Sequence, residues 1–160
     1  MIPKNTEPLS PDRAYQYVLR LLTGRDYSTA RVRSKLEARE VADGDIEAVI
    51  LRLQQEGWLD DRRYAERFAE SALSSGRYYG SRLRLEMRRR GLTPDVVNET
   101  LATLLAESDE VSEVRSVAER RYPGFCYSAA SDRDKRRLVG FLQRRGFGFS
   151  AIMRALRTDE

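Results

Sequence analysis

The sequence predicts an all-α protein made of three tandem three-helix repeats that stack into an elongated, curved array. Apolar residues recur with helical spacing along almost the whole chain, and the alternating pattern of strands is missing. The same apolar pattern then returns twice, and the 160 residues are enough for three such units. Because a unit of this size buries little core by itself, neighbouring units must stack.

The first unit, residues 10–57, is predicted to contain three helices. Ser10 is followed by a proline, which is typical of a helix start because serine caps free N–H groups and proline fits the first turn. Ser28 is expected to cap the second helix, and the third begins near Asp43 and stops at Gly57. The residues expected to face the core are Ala14, Tyr17, Val18, Leu21, Leu22, Val32, Leu36, Ile46, Val49, Ile50 and Leu53.

The second unit, residues 58–106, and the third, residues 107–160, follow the same plan. Asp60 and Thr93 are expected to start helices in the second unit. Ser131 starts one in the third, with an aspartate at the spacing of a capping box. The core-facing residues of these helices are Ala65, Phe68, Ala69, Ala72, Val96, Val97, Leu101, Leu104, Leu138, Phe141 and Leu142. Residues 1–9, which are polar and contain two prolines, are expected to form a flexible N-terminus.

The repeat is visible in equivalent apolar positions of the three units. Leu36, Met87 and Leu142 correspond to one another, with separations of 51 and 55 residues. The longer third copy gains its extra residues in the loop-like stretch 123–127. The other equivalent sets are Val32, Leu83 and Leu138, then Ile46, Val97 and Ile152, and finally Ile50, Leu101 and Leu156. Agreement at this many positions predicts one shared three-helix plan.

Charge is distributed unevenly along the chain. The sequence holds 29 Lys and Arg against 25 Asp and Glu, and nearly all the basic residues are arginine. Residues 77–90 carry a net charge of +5 and residues 133–157 carry +7, whereas residues 92–114 carry −6. Arginine makes forked contacts with phosphate and carboxylate groups. The sequence therefore predicts a polyanionic partner or an acidic protein surface.

Missing residue types make an enzyme improbable on chemical grounds. The absence of histidine excludes Ser–His, Cys–His and His-ligated metal sites, and no Gly-rich phosphate loop of the GxxxxGK[ST] kind is present. Carboxylates binding Mg²⁺ are the remaining option, but the acidic residues are scattered along helical patterns. We expect no enzymatic activity, no metal and no cofactor.

The compartment is expected to be the cytoplasm. The single cysteine, Cys126, cannot form an internal disulfide, which fits a reducing environment. No apolar run approaches the roughly 18 residues of a membrane span, and no signal peptide opens the sequence.

Two basic helices carry the candidate binding residues. Acidic residues that are normally interspersed on a solvated helix surface are missing there, which favours a binding role. The candidates are Arg82, Arg84, Arg88 and Arg89 around Leu85 in the second unit, Arg136, Arg137 and Arg144 in the third, and Tyr78 and Tyr79 just before the first group. Aromatic rings of this kind can stack on nucleic-acid bases, and packing against the neighbouring unit is the alternative for both tyrosines.

Other conspicuous residues are predicted to be structural. Arg39, Arg90 and Arg145 share one repeat position beside the apolar stripe, so their stems are expected to cover core residues while the cation faces the helix C-terminus. Trp58, just before the Asp60 cap, is expected to anchor the start of that helix.

Three segments carry the motifs of a known family. Residues 57–65 look like G-x-[LWIY]-[LN]-D-D-x-R-[FY]-A with tighter spacing, and residues 80–91 are similar to G-P-x-R-[LI]-x-x-E-L-x-x-[KR]-G, with Ser81 and Met87 as departures. The first-unit pattern R-x-x-S-x-x-E-L-x-x-K-L is matched by Arg25, Ser28, Lys35 and Leu36, with Arg31 where an acid is typical. Over nearly its full length the chain thus resembles the RecX family of bacterial recombination regulators.

This resemblance implies a cytoplasmic, monomeric regulator of recombination, DNA repair and the SOS response. Such a protein binds the RecA recombinase, particularly RecA filaments on single-stranded DNA, and inhibits RecA ATPase and strand exchange. Direct contact with single-stranded DNA and the surface that meets RecA are left open. The alternatives are a helix-turn-helix-like DNA-binding protein and a structural adaptor. Against the former, the exposed basic helices lack asparagine, one of the residues that read base edges.

Overall fold

The computed structural model describes residues 8–157, and all the regular secondary structure in that range is α-helical. The helices are α1 (Pro11–Gly24), α2 (Thr29–Ala38), α3 (Asp43–Gln55), α4 (Asp61–Ser75), α5 (Gly80–Arg89), α6 (Pro94–Ala106), α7 (Glu110–Arg121), α8 (Asp132–Arg145) and α9 (Phe149–Arg157). The predicted all-α class is confirmed. Of the N-terminal segment expected to be flexible, residues 1–7 lie outside the described range.

Side-chain caps begin the helices where the sequence places them. At five helix starts, a backbone N–H group in the first turn donates a hydrogen bond to the side chain of the N-cap residue. These caps are Ser10, Ser28, Asp60, Thr93 and Ser131. Asp109 accepts the same kind of bond at the start of α7, a helix start that the sequence analysis does not identify. Each cap satisfies an N–H group that the helix itself leaves without a partner.

Three consecutive helices enclose each of three hydrophobic cores. The closest helix packing occurs inside the triplets α1–α3, α4–α6 and α7–α9. Every residue of the four equivalent apolar sets named above is buried, which confirms the repeat. The chain thus folds as three successive units of the same plan, called units 1, 2 and 3 below.

The predicted anchoring role of Trp58 is wrong. Trp58 remains 52% exposed, whereas the next residue, Leu59, is only 2% exposed and joins the core of unit 1. Gly57 has a left-handed backbone (φ +79°), and the N–H groups of both following residues donate to the carbonyl oxygen of Leu53. This turn reverses the chain and directs Leu59 rather than Trp58 toward the core.

Three equivalent arginines cover aromatic rings at the edges of the cores, in line with their predicted structural role. The distance from the guanidinium carbon to the ring centroid is 4.9 Å, 4.2 Å and 4.7 Å in units 1, 2 and 3. The pairs are Arg39 with Tyr17, Arg90 with Phe68, and Arg145 with Phe141. Cation–π attraction stabilises such contacts while leaving the charge at the surface.

Equivalent corners join successive units. At the first corner the Ser28 hydroxyl donates a hydrogen bond to the carbonyl oxygen of Arg90. At the second, the Tyr79 backbone N–H donates to the carbonyl oxygen of Arg145 over 2.7 Å. In both cases the end of one unit's second helix meets the start of the preceding unit's second helix. The second helices α8, α5 and α2 therefore follow one another end to start, and we call them the second-helix row.

Glycine permits the close approach at both corners. Gly91 and Gly146 have φ values of +84° and +106°. A Cβ atom on Gly91 would lie 2.3 Å from Cβ of Ala30, and one on Gly146 would lie 1.9 Å from the carbonyl oxygen of Tyr79. The equivalent residue in unit 1 is Glu40, also with positive φ (59°), and no unit precedes it within the described residues. A side chain is tolerated there because no other unit among residues 8–157 packs against that corner.

Three cores that follow one another along the chain, in place of one central core, predict an elongated particle. The accessible surface is 10466 Å², whereas a compact monomer of this mass exposes about 8,200 Å².

We therefore expect small-angle scattering to give a radius of gyration clearly above the roughly 15 Å of a compact chain of this length. Light scattering on the same sample should give the monomer mass, because an oligomer would also raise the radius. A near-spherical monomer with a radius of about 15 Å would contradict the stacked array.

Candidate binding surface

Helix α5 presents arginines on the side facing away from the core of unit 2. Leu83 and Met87, four residues apart, are fully buried and fix the orientation of the helix. The residues that follow each of them, Arg84 and Arg88, are exposed. Leu85, which is 42% exposed, lies between them on the helix surface as the sequence predicts.

Glu86 is the acidic residue of α5, and two of the candidate arginines share it. Nη2 of Arg82 and Nη1 of Arg89 each lie 3.0 Å from Oε1 of Glu86. One carboxylate therefore faces two guanidinium groups, so this cluster keeps a net positive charge.

The remaining candidates on α5 have no acidic partner. The Arg84 guanidinium donates to the side-chain oxygen of Asn98 on α6, a neutral group. Arg88 forms no ion pair or hydrogen bond through its side chain within residues 8–157. The positive charge of this helix is thus largely available to a partner.

Helix α8 repeats this arrangement in unit 3. Leu138 and Leu142 are buried, and Arg136, Arg137 and Arg144 are exposed. Nε of Arg136 donates to the backbone carbonyl of Asp132 over 3.3 Å, which leaves its charge uncompensated. The other two arginines form no ion pair in the part of the chain that the structure describes.

The corner between units 2 and 3 joins the exposed faces of α5 and α8 into one continuous surface. Because the C-terminal end of α8 meets the start of α5, the arginines of the two helices follow each other along the second-helix row. A Cβ atom on Gly146 would lie 2.7 Å from Cβ of Arg82, which shows how closely the two elements approach. We call the exposed arginines of α5 and α8 the basic surface.

Tyr79 is buried between the units. It is 7% exposed, its ring stacks on Phe147 at 4.7 Å, and its hydroxyl hydrogen-bonds to Ser108 over 2.6 Å. Burial raises the pKa of the Tyr79 phenol above its ordinary value. Of the two roles left open by the sequence, the structure supports packing between units, and Tyr79 is not part of the basic surface.

Tyr78 keeps part of its ring accessible beside the basic surface. It is half-buried, and its ring lies 6.4 Å from Phe68. The guanidinium groups of Arg77 and Arg82 lie 5.2 Å and 5.7 Å from its centroid. Tyr78 therefore remains a candidate contact within a positively charged environment.

Residues 8–157 carry no signature of a metal site or of a membrane-spanning helix. No group of three or more metal-ligating side chains is close enough there to hold an ion. None of the helices in that range has the length and apolar character needed to cross a bilayer. Cys126 is exposed, with its sulfur 3.3 Å from Oγ of Ser128.

Comparison with protein families gives three matches in chain order. The RecX first, second and third three-helix domains match residues 14–53, 60–101 and 108–156, respectively. The first matched segment lies within α1–α3, and the second and third begin one and two residues before α4 and α7 and end within α6 and α9.

Similar proteins cover almost the whole chain. Regulatory protein RecX of Trichlorobacter lovleyi is 44% identical over 137 residues, which are 86% of this chain and 89% of that protein. Regulatory protein RecX of Thermus thermophilus is 39% identical over 90% of both chains. The crystal structure of RecX from Lactobacillus salivarius superposes with a TM-score of 0.76, covering 92% of this chain and 95% of that one. At 19% identity, that last likeness shows the fold alone.

Proposed function

The chain belongs to the RecX family of regulatory proteins, and from this premise we propose that it binds RecA and RecA filaments on single-stranded DNA, and inhibits RecA ATPase and strand exchange. The observation that carries the proposal is the match of all three RecX domains in chain order, together with similarity over 86% and 90% of the chain to two proteins named Regulatory protein RecX. Its proposed action is binding to the filament, in which one array affects several RecA subunits, and this action needs no catalytic group or cofactor.

The basic surface supplies the contact in this proposal. A row of arginines with few interspersed acids attracts an acidic protein surface or a phosphate backbone, and it speeds encounter by long-range steering. The partner groups are acidic residues of RecA or the phosphates of the strand that RecA encloses. In this proposal the array of three units acts as a monomer, lies along a groove of the helical filament and contacts more than one subunit.

The proposed setting is the bacterial cytoplasm, where RecA filaments form during homologous recombination, DNA repair and the SOS response. A protein that restrains such filaments limits all three processes. The alternative, a helix-turn-helix-like protein that reads duplex DNA, predicts protection of a defined duplex sequence in place of an effect on RecA.

The test is the ATPase activity of RecA on single-stranded DNA as the protein is titrated. We expect inhibition at substoichiometric amounts relative to RecA, because one bound array affects several subunits of a filament. The same titration into the ATP-detection system without RecA controls for interference with the assay. Unchanged ATPase at equimolar, demonstrably folded protein would contradict the proposal, and protection of one duplex sequence would favour the alternative.

A further inference from the structure

A small pocket lies at the corner between units 1 and 2, where the C-terminal end of α5 meets the start of α2. Its volume is about 130 Å³, enough for one phosphate-sized group but too small for a nucleotide. Three arginines line it, Arg25, Arg31 and Arg90, together with the hydroxyl-bearing Tyr64. The sequence analysis does not identify this pocket, because its residues come from three separate segments.

The acidic groups near this pocket are already engaged. Asp26 is the acid among the lining residues, and its carboxylate lies 3.1 Å from Nη1 of Arg67, outside the pocket. The carboxylate of Asp61 on α4 accepts a hydrogen bond from the backbone N–H of Thr29. The pocket therefore has a surplus of positive charge.

Among the residues that the structure describes, the guanidinium groups of Arg25 and Arg90 contact neutral partners only. Nη1 of Arg90 donates to the Tyr64 hydroxyl over 3.3 Å, and Arg25 lies 4.8 Å from the ring centroid of Tyr27. The side chain of Arg31 forms no ion pair or hydrogen bond among the described residues. Several N–H donors at this corner are left for an external acceptor.

The repeat provides an internal comparison for Arg31. Its equivalent in unit 2 is Arg82, which pairs with Glu86 one helical turn further on. The residue equivalent to Glu86 in unit 1 is Lys35, a second cation. In α5 the carboxylate of Glu86 neutralises Arg82, whereas in α2 the equivalent neighbour of Arg31 is the positively charged Lys35.

A second pair of equivalent positions also differs between the two corners, and again the first corner holds the additional positive charge. At the corner between units 2 and 3, Nη1 of Arg145 donates over 2.9 Å to the carbonyl oxygen of Gly76. The residues equivalent to Arg145 and Gly76 at the first corner are Arg90 and Arg25. Arg145 thus donates to a backbone carbonyl, whereas Arg90 donates to the Tyr64 hydroxyl, and the position of Gly76 is taken by a further cation, Arg25.

We propose that Arg25, Arg31 and Arg90 form a binding site for one phosphate group. Guanidinium forks match the geometry of a tetrahedral oxyanion and contact it through paired, charge-assisted hydrogen bonds. The Tyr64 hydroxyl, which accepts from Arg90, can donate its own proton to a further phosphate oxygen. A phosphodiester of a single-stranded nucleic acid and inorganic phosphate are the two sources of such a group. The site goes beyond the proposed function, and binding at it does not require RecA.

The first experiment titrates the full-length protein with inorganic phosphate at constant ionic strength and follows the arginine Nε–H signals by NMR, with chloride as the reference anion. We expect saturable shifts of the Arg25, Arg31 and Arg90 signals, and at least tenfold weaker binding by Arg31→Glu and by the milder double variant Arg25→Gln/Arg31→Gln. Arg20→Glu on α1, outside the pocket lining, is the charge-matched control and should bind within twofold of wild type.

The second experiment identifies the source of the phosphate group from the fluorescence anisotropy of a labelled oligo(dT). Weaker oligonucleotide binding by Arg31→Glu than by Arg20→Glu, together with competition by phosphate, assigns the site to a strand phosphodiester. Phosphate binding with equal oligonucleotide affinities assigns it to inorganic phosphate. Phosphate shifts that do not saturate, or that are the same in Arg31→Glu and wild type of equal helicity, overturn the proposal. Because RecA is absent from both experiments, their failure is independent of the proposed function.

Discussion

Replacing Gly146 with alanine is expected to lower the free energy of unfolding by about 2–5 kcal/mol, combining a left-handed backbone penalty with overpacking. The φ value of +106° is unfavourable for any side chain, and the new Cβ atom would lie 1.9 Å from the carbonyl oxygen of Tyr79. Because that neighbour is backbone, the corner between units 2 and 3 must open. Urea unfolding followed by circular dichroism measures the change.

The repeat provides a matched control for this substitution. Glu40 occupies the equivalent position with a positive φ of its own, but no unit packs against it among the described residues. Glu40→Ala should therefore change stability by less than about 0.5 kcal/mol, as surface substitutions usually do. Gly91→Ala, with a Cβ contact of 2.3 Å to Ala30, should behave like Gly146→Ala. A loss below about 1 kcal/mol in both glycine variants would mean that the corners are not tightly packed.

Reversing Arg84, Arg88 and Arg89 together to glutamate is expected to weaken binding to RecA filaments at least tenfold near 0.1 M salt, where charges act over roughly 10 Å. Removal of three attractive charges and addition of three repulsive ones act in the same direction. Binding by the wild type should also weaken as salt rises. Helicity should not change, because the buried side of α5 is untouched.

A second triple variant separates the surface from the net charge. Arg13, Arg20 and Arg52 lie on α1 and α3, away from the second-helix row, and Arg52 pairs with Glu56 much as Arg89 pairs with Glu86. Their reversal to glutamate changes the total charge by the same amount. If both triple variants bind filaments equally well, the basic surface of α5 is only solvated surface.

The sequence predicts what depends on local pattern. The caps at Ser10, Ser28 and Ser131 involve an N–H group only three residues away, and burial of the equivalent apolar sets follows from helical periodicity. Units 1, 2 and 3 can therefore be identified from the amino-acid sequence alone, for example from the equivalent buried residues Leu36 and Met87.

The remaining features depend on contacts between distant segments or on one backbone turn. Tyr79 is buried because stacking of the units places Phe147 beside it. The choice between Trp58 and Leu59 rests on the left-handed turn at Gly57, which a periodic pattern does not specify. The arginines of the proposed phosphate site also come together through packing between units. The corner between units 1 and 2 brings Arg90 to the start of α2.

Strand exchange by RecA between homologous DNA molecules, measured with the wild type and with the Arg84/Arg88/Arg89 to glutamate variant, tests whether the protein restrains RecA through its basic surface. We expect the wild type to suppress exchange at substoichiometric amounts, and we expect at least ten times more of the variant to be needed for the same effect. Exchange that proceeds equally fast with and without the wild-type protein, or equal suppression by wild type and variant, would contradict this expectation.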